Sequence, residues 1–115
     1  MKNAVVVDCL RTPIGRAHAD QGVFREVRSD DLAVAVVRAI VERTGIDPAE
    51  IEDLLLGNTQ QTGEQGLNAA RTVALMAGLP METGGATINR LCGSSLQAFL
   101  QPSTSHWSST EPGGM

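Results

Sequence analysis

Short apolar runs alternate with helical segments along this chain, and this order limits the possible fold more than any other feature of the sequence. Three runs predict strands, because each is short and rich in apolar or β-branched residues. They are Ala4–Leu10, the later part of Ile51–Gly57 and Ala86–Asn89. Three segments predict helices: Leu32–Thr44, Asn68–Gly78 and the stretch that begins near Cys92. A strand–helix order repeated three times predicts an α/β fold with three short parallel strands.

Residues that favour helix ends support this division. Ser29 is a candidate N-cap for the first helix, and Asp30 and Asp31 fall in the first turn, where negative charge is favourable. Gly45 is a natural C-terminal residue for the same helix. Its residues are apolar around most of the helix, so we expect it to be largely buried. Asp47–Glu50 predicts one further turn of helix before the second strand.

The composition is that of one globular domain. The 115 residues are 42% hydrophobic and 19% charged, and a chain of this length can bury only a modest core. A net charge of −4 without a basic patch argues against a nucleic-acid partner. No apolar run is long enough to span a membrane, and Asp8 interrupts the first run too early for a signal peptide. We therefore expect a cytoplasmic protein with no membrane partner.

The two cysteines, Cys9 and Cys92, stand far apart and fit no CxxC pattern. This spacing predicts no zinc site, and a reducing cytoplasm predicts free thiols. Cys9 lies inside the first predicted strand, so we expect it in the core.

Cys92 lies at the corner of T-I-N-R-L-C-G-S-S-L-Q-A, a stretch that predicts a strand turning sharply into a helix. Ligands of open parallel sheets bind beyond the carboxyl ends of the strands, and a helix N-terminus stabilises a thiolate. The small residues Gly93, Ser94 and Ser95 would let a substrate carbonyl approach, and nearby backbone N–H groups could hold an oxyanion. Cys92 is therefore a candidate nucleophile for acyl transfer. The residues alone leave open that it is a small buried side chain.

A nucleophilic thiol needs a base, and the sequence offers no clear one. His18 lies in the first loop and His106 near the C-terminus, and we expect neither to reach Cys92 with the geometry that proton transfer requires. Asn89 and Arg90 precede the corner, and we expect them to form structural hydrogen bonds there.

Residues 102–115 differ from the preceding sequence. They are rich in Ser, Thr, Pro and Gly and show no apolar period, which predicts a disordered tail. Pro102 should end the helix that follows Cys92, because proline in a helix interior costs about 3 kcal/mol. The prediction is a folded part of residues 1–101 and a disordered tail of residues 102–115.

Three motifs in register resemble the N-terminal part of thiolases. They are V-V-V-D-C-L-R-T-P-I-G, G-N-T-Q-Q-T-G-E-Q-G-L-N-A-A-R and T-I-N-R-L-C-G-S-S-L-Q-A, in that order. The likeness is greatest to the bacterial 3-ketoacyl-CoA branch of the family and covers residues 4 to about 100. It implies that residues 1–101 form part of a thiolase N-terminal domain with an incomplete mixed sheet. Residues 102–115 do not resemble the family.

The resemblance also implies an activity, the thiolytic cleavage of 3-ketoacyl-CoA to acetyl-CoA and a shortened acyl-CoA in fatty-acid β-oxidation. CoA and acyl-CoA are then substrates, no cofactor is needed, and Cys92 matches the nucleophile that carries the acyl group. The family's G-H-P histidine and C-x-G cysteine, which serve as base and acid, do not occur in the 115 residues. Neither His18 nor Cys9 matches them, so we expect the chain to be inactive alone.

Partners and alternatives follow from the same resemblance. It implies a homodimer and, in the fatty-acid oxidation complex, a hydratase/dehydrogenase subunit. The abrupt change of pattern at Pro102 suggests a frameshifted or truncated product, or a non-catalytic fragment that docks on a full-length thiolase subunit. A further alternative is a condensing enzyme similar to 3-ketoacyl synthases, which share the fold and a cysteine at a helix start.

Overall fold

A computed structural model describes residues 3–104, which form an α/β fold as predicted. The main elements are α1 Ser29–Thr44, β1 Asp53–Gly57, α2 Ala69–Met76, β2 Gly84–Ile88 and α3 Ser94–Thr104. Two 3₁₀ turns, Pro48–Glu50 and Gly63–Gln65, precede β1 and α2. No helix in the described part of the chain has the length and apolar character needed to cross a membrane.

The two strands form a small parallel sheet, with Asp53 opposite Gly84 and Gly57 opposite Ile88. The sheet lies between α2 and α3, and α1 packs on α2. Both strands therefore end at the same edge, which is also where α3 begins.

Two glycines bring the helices close to the two faces of the sheet. A Cβ on Gly85 would lie 2.7 Å from the backbone nitrogen of Arg71 in α2. A Cβ on Gly57 would lie 2.4 Å from the backbone nitrogen of Ser95 in α3. Any other residue at either position would push a helix away from its strand, so these glycines set the spacing of the layers.

The core is small and centres on α2. Its buried apolar residues are Val34, Ala69, Ala70, Val73, Ala74, Leu79 and Ala98. Most are alanines, which allow close packing but contribute little apolar area each. Thr83, only 1% exposed, donates its hydroxyl proton to the carbonyl of Ile51 at 2.9 Å, so its buried polar atom is satisfied.

The predicted strand Ala4–Leu10 is wrong, because residues 3–28 contain no strand. Val5, Val6 and Val7 are 79%, 66% and 83% exposed. The β preference of a valine run is expressed where a neighbouring strand and a packed face are available, and the described residues pair no strand with this run. Cys9 is exposed as well, so its predicted place in the core is also wrong.

The N-terminal segment is nevertheless attached to α1. The guanidinium of Arg43 donates hydrogen bonds to the carboxylate of Asp8 and, at 2.8 Å, to the carbonyl of Cys9. A groove of about 800 Å³ lies between the valine run, the C-terminal half of α1 and α3, where Phe99 forms part of its wall. The segment therefore lies beside the folded part without joining the sheet.

The start of α1 differs from the prediction, whereas its end agrees. Arg28 occupies the N-cap position, Ser29 is the first helical residue, and no side chain caps the helix from the N-cap position. The prediction that α1 is largely buried is wrong. Only Asp30 and Val34 are buried in it, because its main contacts with other described elements are with α2 and the 3₁₀ turn Gly63–Gln65. Gly45 adopts the left-handed conformation, with φ of 68°, and ends the helix as predicted.

The other predicted helix ends have mixed outcomes. The side chain of Asp47 accepts a hydrogen bond from the N–H of Ala49 at 3.0 Å, which confirms the turn at Asp47–Glu50. α3 continues through Pro102 to Thr104, so its predicted end at Pro102 is wrong. Pro102 lacks the N–H that would bond the carbonyl four residues earlier, so the helix continues past it with one backbone hydrogen bond fewer. The rest of the predicted tail, with His106, lies outside the described residues.

Candidate active site

Cys92 lies at the carboxyl edge of the sheet, after β2 ends at Ile88 and before α3 begins at Ser94. Its thiol is free and exposed. The alternative of a small buried side chain is therefore wrong, and a substrate in solution can reach the sulfur. The position agrees with the predicted corner between a strand and a helix.

The residue before Cys92 has an unusual backbone. Leu91 adopts a φ of 48°, in the left-handed region that non-glycine residues seldom enter. Its N–H donates to Oδ1 of Asn89 at 2.9 Å, and its carbonyl accepts from the hydroxyl of Ser94 at 2.7 Å. This conformation reverses the chain between β2 and α3 and places Cys92 at the tip of the turn.

Ser94 holds the turn from the helix side. Its side chain is buried, with a residue exposure of 3%. Its Oγ accepts a hydrogen bond from the N–H of Arg90 at 2.8 Å while donating to Leu91. Small size is the only property of Ser94 on which the sequence prediction rested, whereas in the structure its Oγ forms two hydrogen bonds, one to Arg90 and one to Leu91.

The backbone donors nearest to Cys92 are already used. The N–H of Gly93 donates to the carbonyl of Arg90 at 3.0 Å, and that of Ser94 donates to the carbonyl of Leu91 at 3.1 Å. These two groups therefore do not form the expected oxyanion site in this conformation.

The loop after β1 lies against the same edge. Asn58, which is 9% exposed, donates its N–H to the carbonyl of Ile88 at 2.9 Å and so extends the strand pairing by one residue. Its side-chain amide donates to the carbonyl of Gln65 at 3.2 Å, and its Oδ1 accepts from the N–H of Gln60 at 3.2 Å. These bonds fold the loop back on itself beside the Cys92 turn.

A carboxylate from this loop caps α1. Oε1 of Glu64 accepts hydrogen bonds from the N–H of Ser29 at 2.7 Å and from its hydroxyl at 2.8 Å. These two bonds lower the pKa of Glu64. Sequence reasoning missed this contact, because a cap supplied from a distant loop leaves no local signal.

The described residues provide no base for Cys92. Its sulfur forms no hydrogen bond within residues 3–104. Nδ1 of His18 instead accepts two bonds from its own loop, from the N–H groups of Asp20 and Gln21, both at 3.1 Å. The same residues contain no group of three or more His, Cys, Asp or Glu side chains that could hold a metal ion.

Asn89 and Arg90 were predicted to form structural hydrogen bonds at the corner, and both do. Oδ1 of Asn89 accepts from the N–H of Leu91, and the backbone of Arg90 bonds to Ser94 and Gly93. The Asn89 amide also lies 3.5 Å from the carbonyl of Thr59, at the limit of a hydrogen bond. The guanidinium of Arg90 donates to Oε1 of Gln97 in α3 at 2.7 Å. The corner is thus braced against both the loop and the helix that surround it.

The chain is similar in sequence to known proteins of one family. The family description "Thiolase, N-terminal domain" matches residues 4–105. A 3-ketoacyl-CoA thiolase of Vibrio vulnificus strain YJ016 is 54% identical over 100 residues, which cover 86% of this chain and 25% of that protein. A 3-ketoacyl-CoA thiolase of Shewanella loihica is 51% identical over 102 residues, which cover 88% of this chain and 26% of that protein.

A 3-ketoacyl-CoA thiolase of Idiomarina loihiensis is similar to the same extent, with 52% identity over 100 residues. The chain spans about a quarter of the length of the curated relatives that it matches. The match nevertheless covers nearly all of the described residues, including both strands and the Cys92 turn. The chain therefore belongs to the thiolase family, through the N-terminal domain of that family.

Proposed function

We propose that this chain supplies the nucleophile of a 3-ketoacyl-CoA thiolase, with Cys92 as the acyl carrier. The observation that carries the proposal is the exposed thiol of Cys92 at the edge where both parallel strands end and α3 begins. An exposed sulfur beside a helix N-terminus is suited to nucleophilic acyl transfer. The names of the relatives favour a thiolase over the condensing-enzyme alternative.

The proposed reaction has two steps. The Cys92 thiolate forms a bond to the 3-keto carbon of a 3-ketoacyl-CoA, and the bond between carbons 2 and 3 breaks. The released electron pair stays with acetyl-CoA, which takes up a proton. The thiol of a second CoA then attacks the acyl-Cys92 thioester, so the shortened acyl-CoA leaves and the cysteine is regenerated. No bound cofactor enters either step.

The chain on its own should perform the first step slowly and should not turn over. A positioned base is worth about 10²- to 10⁴-fold in rate, and the described residues place none at the sulfur. Acylation then depends on the small fraction of thiolate present in solution. We assign the complete reaction to an assembly that adds the missing acid and base.

The cellular setting belongs to the same proposal. We assign the activity to fatty-acid β-oxidation in the cytoplasm, within a homodimer that associates with a hydratase/dehydrogenase subunit. A non-catalytic role, docking on a full-length thiolase subunit, is the second candidate. The exposed valine run and the apolar groove beside Phe99 favour it, since large exposed apolar surface marks interaction sites.

Peptide mass spectrometry after incubation with acetoacetyl-CoA tests the proposal. We expect an acetyl group on the Cys92 peptide of the unsubstituted chain and of Cys9→Ser, and none in Cys92→Ser. Iodoacetamide serves as a control for access to the sulfur. If it modifies Cys92 in Cys9→Ser while acetoacetyl-CoA leaves no adduct, the sulfur is accessible but is not an acyl acceptor, and the proposal is wrong.

Size-exclusion chromatography separates the second candidate from the first. A mixture with a full-length 3-ketoacyl-CoA thiolase should give a complex that contains both chains if docking occurs. If the two chains elute separately, each at the volume it has alone, the docking role is excluded.

A further inference from the structure

The turn that carries Cys92 contains a buried hydroxyl that the reaction itself does not use. Ser94 is 3% exposed, whereas the cysteine two residues before it is open to solution. A serine at the start of a helix could simply cap that helix. Here its Oγ instead donates to the carbonyl of Leu91 and accepts from the N–H of Arg90.

Those two bonds act on the least favourable backbone conformation of the turn. The left-handed φ of 48° at Leu91 is disfavoured for a branched side chain and persists only where the surroundings hold it. The Leu91 side chain is 70% exposed, so it adds little packing that could fix the conformation. The conformation is therefore held by hydrogen bonds. The N–H of Leu91 donates to Asn89 Oδ1, and its carbonyl accepts from the hydroxyl and the N–H of Ser94.

The position of Ser94 is itself fixed by the sheet. Gly57, at the end of β1, lies so close that an added Cβ would be 2.6 Å from the carbonyl carbon of Ser94. The first turn of α3 therefore cannot shift toward the strand, and the Ser94 hydroxyl is presented to the turn from a rigid support. The path of contacts runs from Gly57 to Ser94, to Leu91 and then to Cys92.

We propose that Ser94 is a positioning residue for Cys92, acting by holding Leu91 in the left-handed conformation that aims the thiol outward from the sheet edge. This inference rests on the proposed role of Cys92 as acyl carrier. Ser94 does not touch the acyl group. Without the hydroxyl, Leu91 keeps the bond from its N–H to Asn89 Oδ1 and the bond from the Ser94 N–H to its carbonyl. We expect these two bonds not to suffice, so that Leu91 returns to an ordinary conformation and the sulfur moves away from the direction in which an acyl donor approaches.

The test uses the 115-residue chain with Cys9→Ser, which leaves Cys92 as its single thiol. Ser94→Ala should lower the rate of Cys92 acetylation by acetoacetyl-CoA by about tenfold or more, because a misplaced reacting group is costly. Alkylation by iodoacetamide, which reaches an exposed thiol from many directions, should change by less than about threefold. Ser95→Ala is the matched control, since Ser95 is exposed and lies at the next position of the same helix.

Rescue distinguishes positioning from a loss of stability. Leu91→Gly in the Ser94→Ala background should restore most of the acetylation rate, because glycine adopts positive φ without a side-chain penalty. Equal acetylation rates in Ser94→Ala and the parent would overturn the inference. So would a fall in acetylation that is matched by an equal change in alkylation.

A second measurement does not depend on acylation. The ¹³Cα and ¹³Cβ chemical shifts of Leu91 report its backbone conformation, and they should indicate positive φ in the parent and in Ser95→Ala but not in Ser94→Ala. Unchanged shifts in Ser94→Ala refute the positioning role even if the parent is never acetylated. Absence of acetylation in the parent refutes the proposed function instead, so the two failures are distinguishable.

Discussion

Glu64 caps helix α1 from a distant loop, because its carboxylate accepts hydrogen bonds from both the N–H and the hydroxyl of Ser29, at 2.7 and 2.8 Å. The contact ties the loop between β1 and α2 to the start of α1. It also places a negative charge at the positive end of the helix dipole. The loop beside the Cys92 turn and the outer helix are therefore linked through one side chain.

Replacing Glu64 with alanine should lower the melting temperature by several degrees, because the first turn of α1 loses both hydrogen bonds and the favourable charge. Glu64→Gln keeps an acceptor and should show a smaller decrease. Thermal unfolding followed by far-ultraviolet circular dichroism measures both. Glu50→Ala is a control on an exposed acidic residue, and an equal effect there would contradict the capping role.

Acid should destabilise the fold through three carboxylates. Hydrogen bonds from Arg43 lower the pKa of Asp8, those from Arg28 lower that of Asp30, and those from Ser29 lower that of Glu64. A carboxyl whose folded-state pKa is lowered contributes stability above its ordinary value of about 4, and that contribution is lost as the pH falls through the folded-state value.

We therefore expect urea midpoints to be constant from pH 7 to about pH 5 and to fall below about pH 4. Asp30→Asn removes the charge that Arg28 pairs with, so the variant should start from a lower midpoint and decrease less on acidification. A variant with the same acid dependence as the parent would show that Asp30 does not contribute to it.

Gly57→Ala should both destabilise the chain and impair Cys92. The new Cβ would lie 2.4 Å from the backbone nitrogen of Ser95, so α3 must move away from β1. Overpacking of this kind costs about 1–3 kcal/mol, and the shift carries the Cys92 turn with it. Chemical denaturation and acetylation by acetoacetyl-CoA measure the two effects.

Gly93→Ala is the matched control for Gly57→Ala. An added Cβ there would have its nearest neighbour, the carbonyl oxygen of Arg90, at 3.4 Å. Its effect on stability should be much smaller. If the two variants unfold at the same denaturant concentration, the close approach of α3 to β1 does not matter for stability.

Pro102→Ala should stabilise α3. A proline inside a helix removes an N–H donor and costs up to about 3 kcal/mol in a helix centre, and less in the last turn, where Pro102 lies. We expect a higher melting temperature and greater helical ellipticity. No change in ellipticity would mean that the last turn forms equally well with proline.

The N-terminal segment should be released from α1 when the hydrogen bonds of Arg43 are removed. Arg43 donates hydrogen bonds to both Asp8 and the carbonyl of Cys9, so Arg43→Ala frees the segment around the valine run. Limited proteolysis should then cleave within residues 4–10 faster than in the parent. Arg11→Ala, which removes only a contact with the adjacent Thr12, should leave the cleavage rate unchanged.

The sequence was informative where the structure depends on local signals. The helix end at Gly45, the turn begun by Asp47 and the corner at Cys92 each follow from residue types at short spacing, and the structure agrees with them. The α/β class could also be predicted, because the order of strands and helices can be recognised along the sequence.

What sequence reasoning missed depends on contacts between distant residues. The valine run Val5–Val7 has the composition of a strand, but a strand also requires a partner, and composition cannot supply one. The cap of α1 by Glu64 and the two hydrogen bonds of Ser94 join segments whose proximity only the fold determines. The left-handed Leu91 was equally hidden, since leucine carries no preference for that conformation.

The closeness of Gly57 to the first turn of α3 has a consequence for protein engineering. A designer who grafts the cysteine corner onto another scaffold should not transfer the turn between β2 and α3 alone. Gly57 on the neighbouring strand must be transferred as well, since a side chain at that position of a host strand would tilt the grafted helix. The smallest segment set that can be grafted therefore consists of β1, β2 and α3.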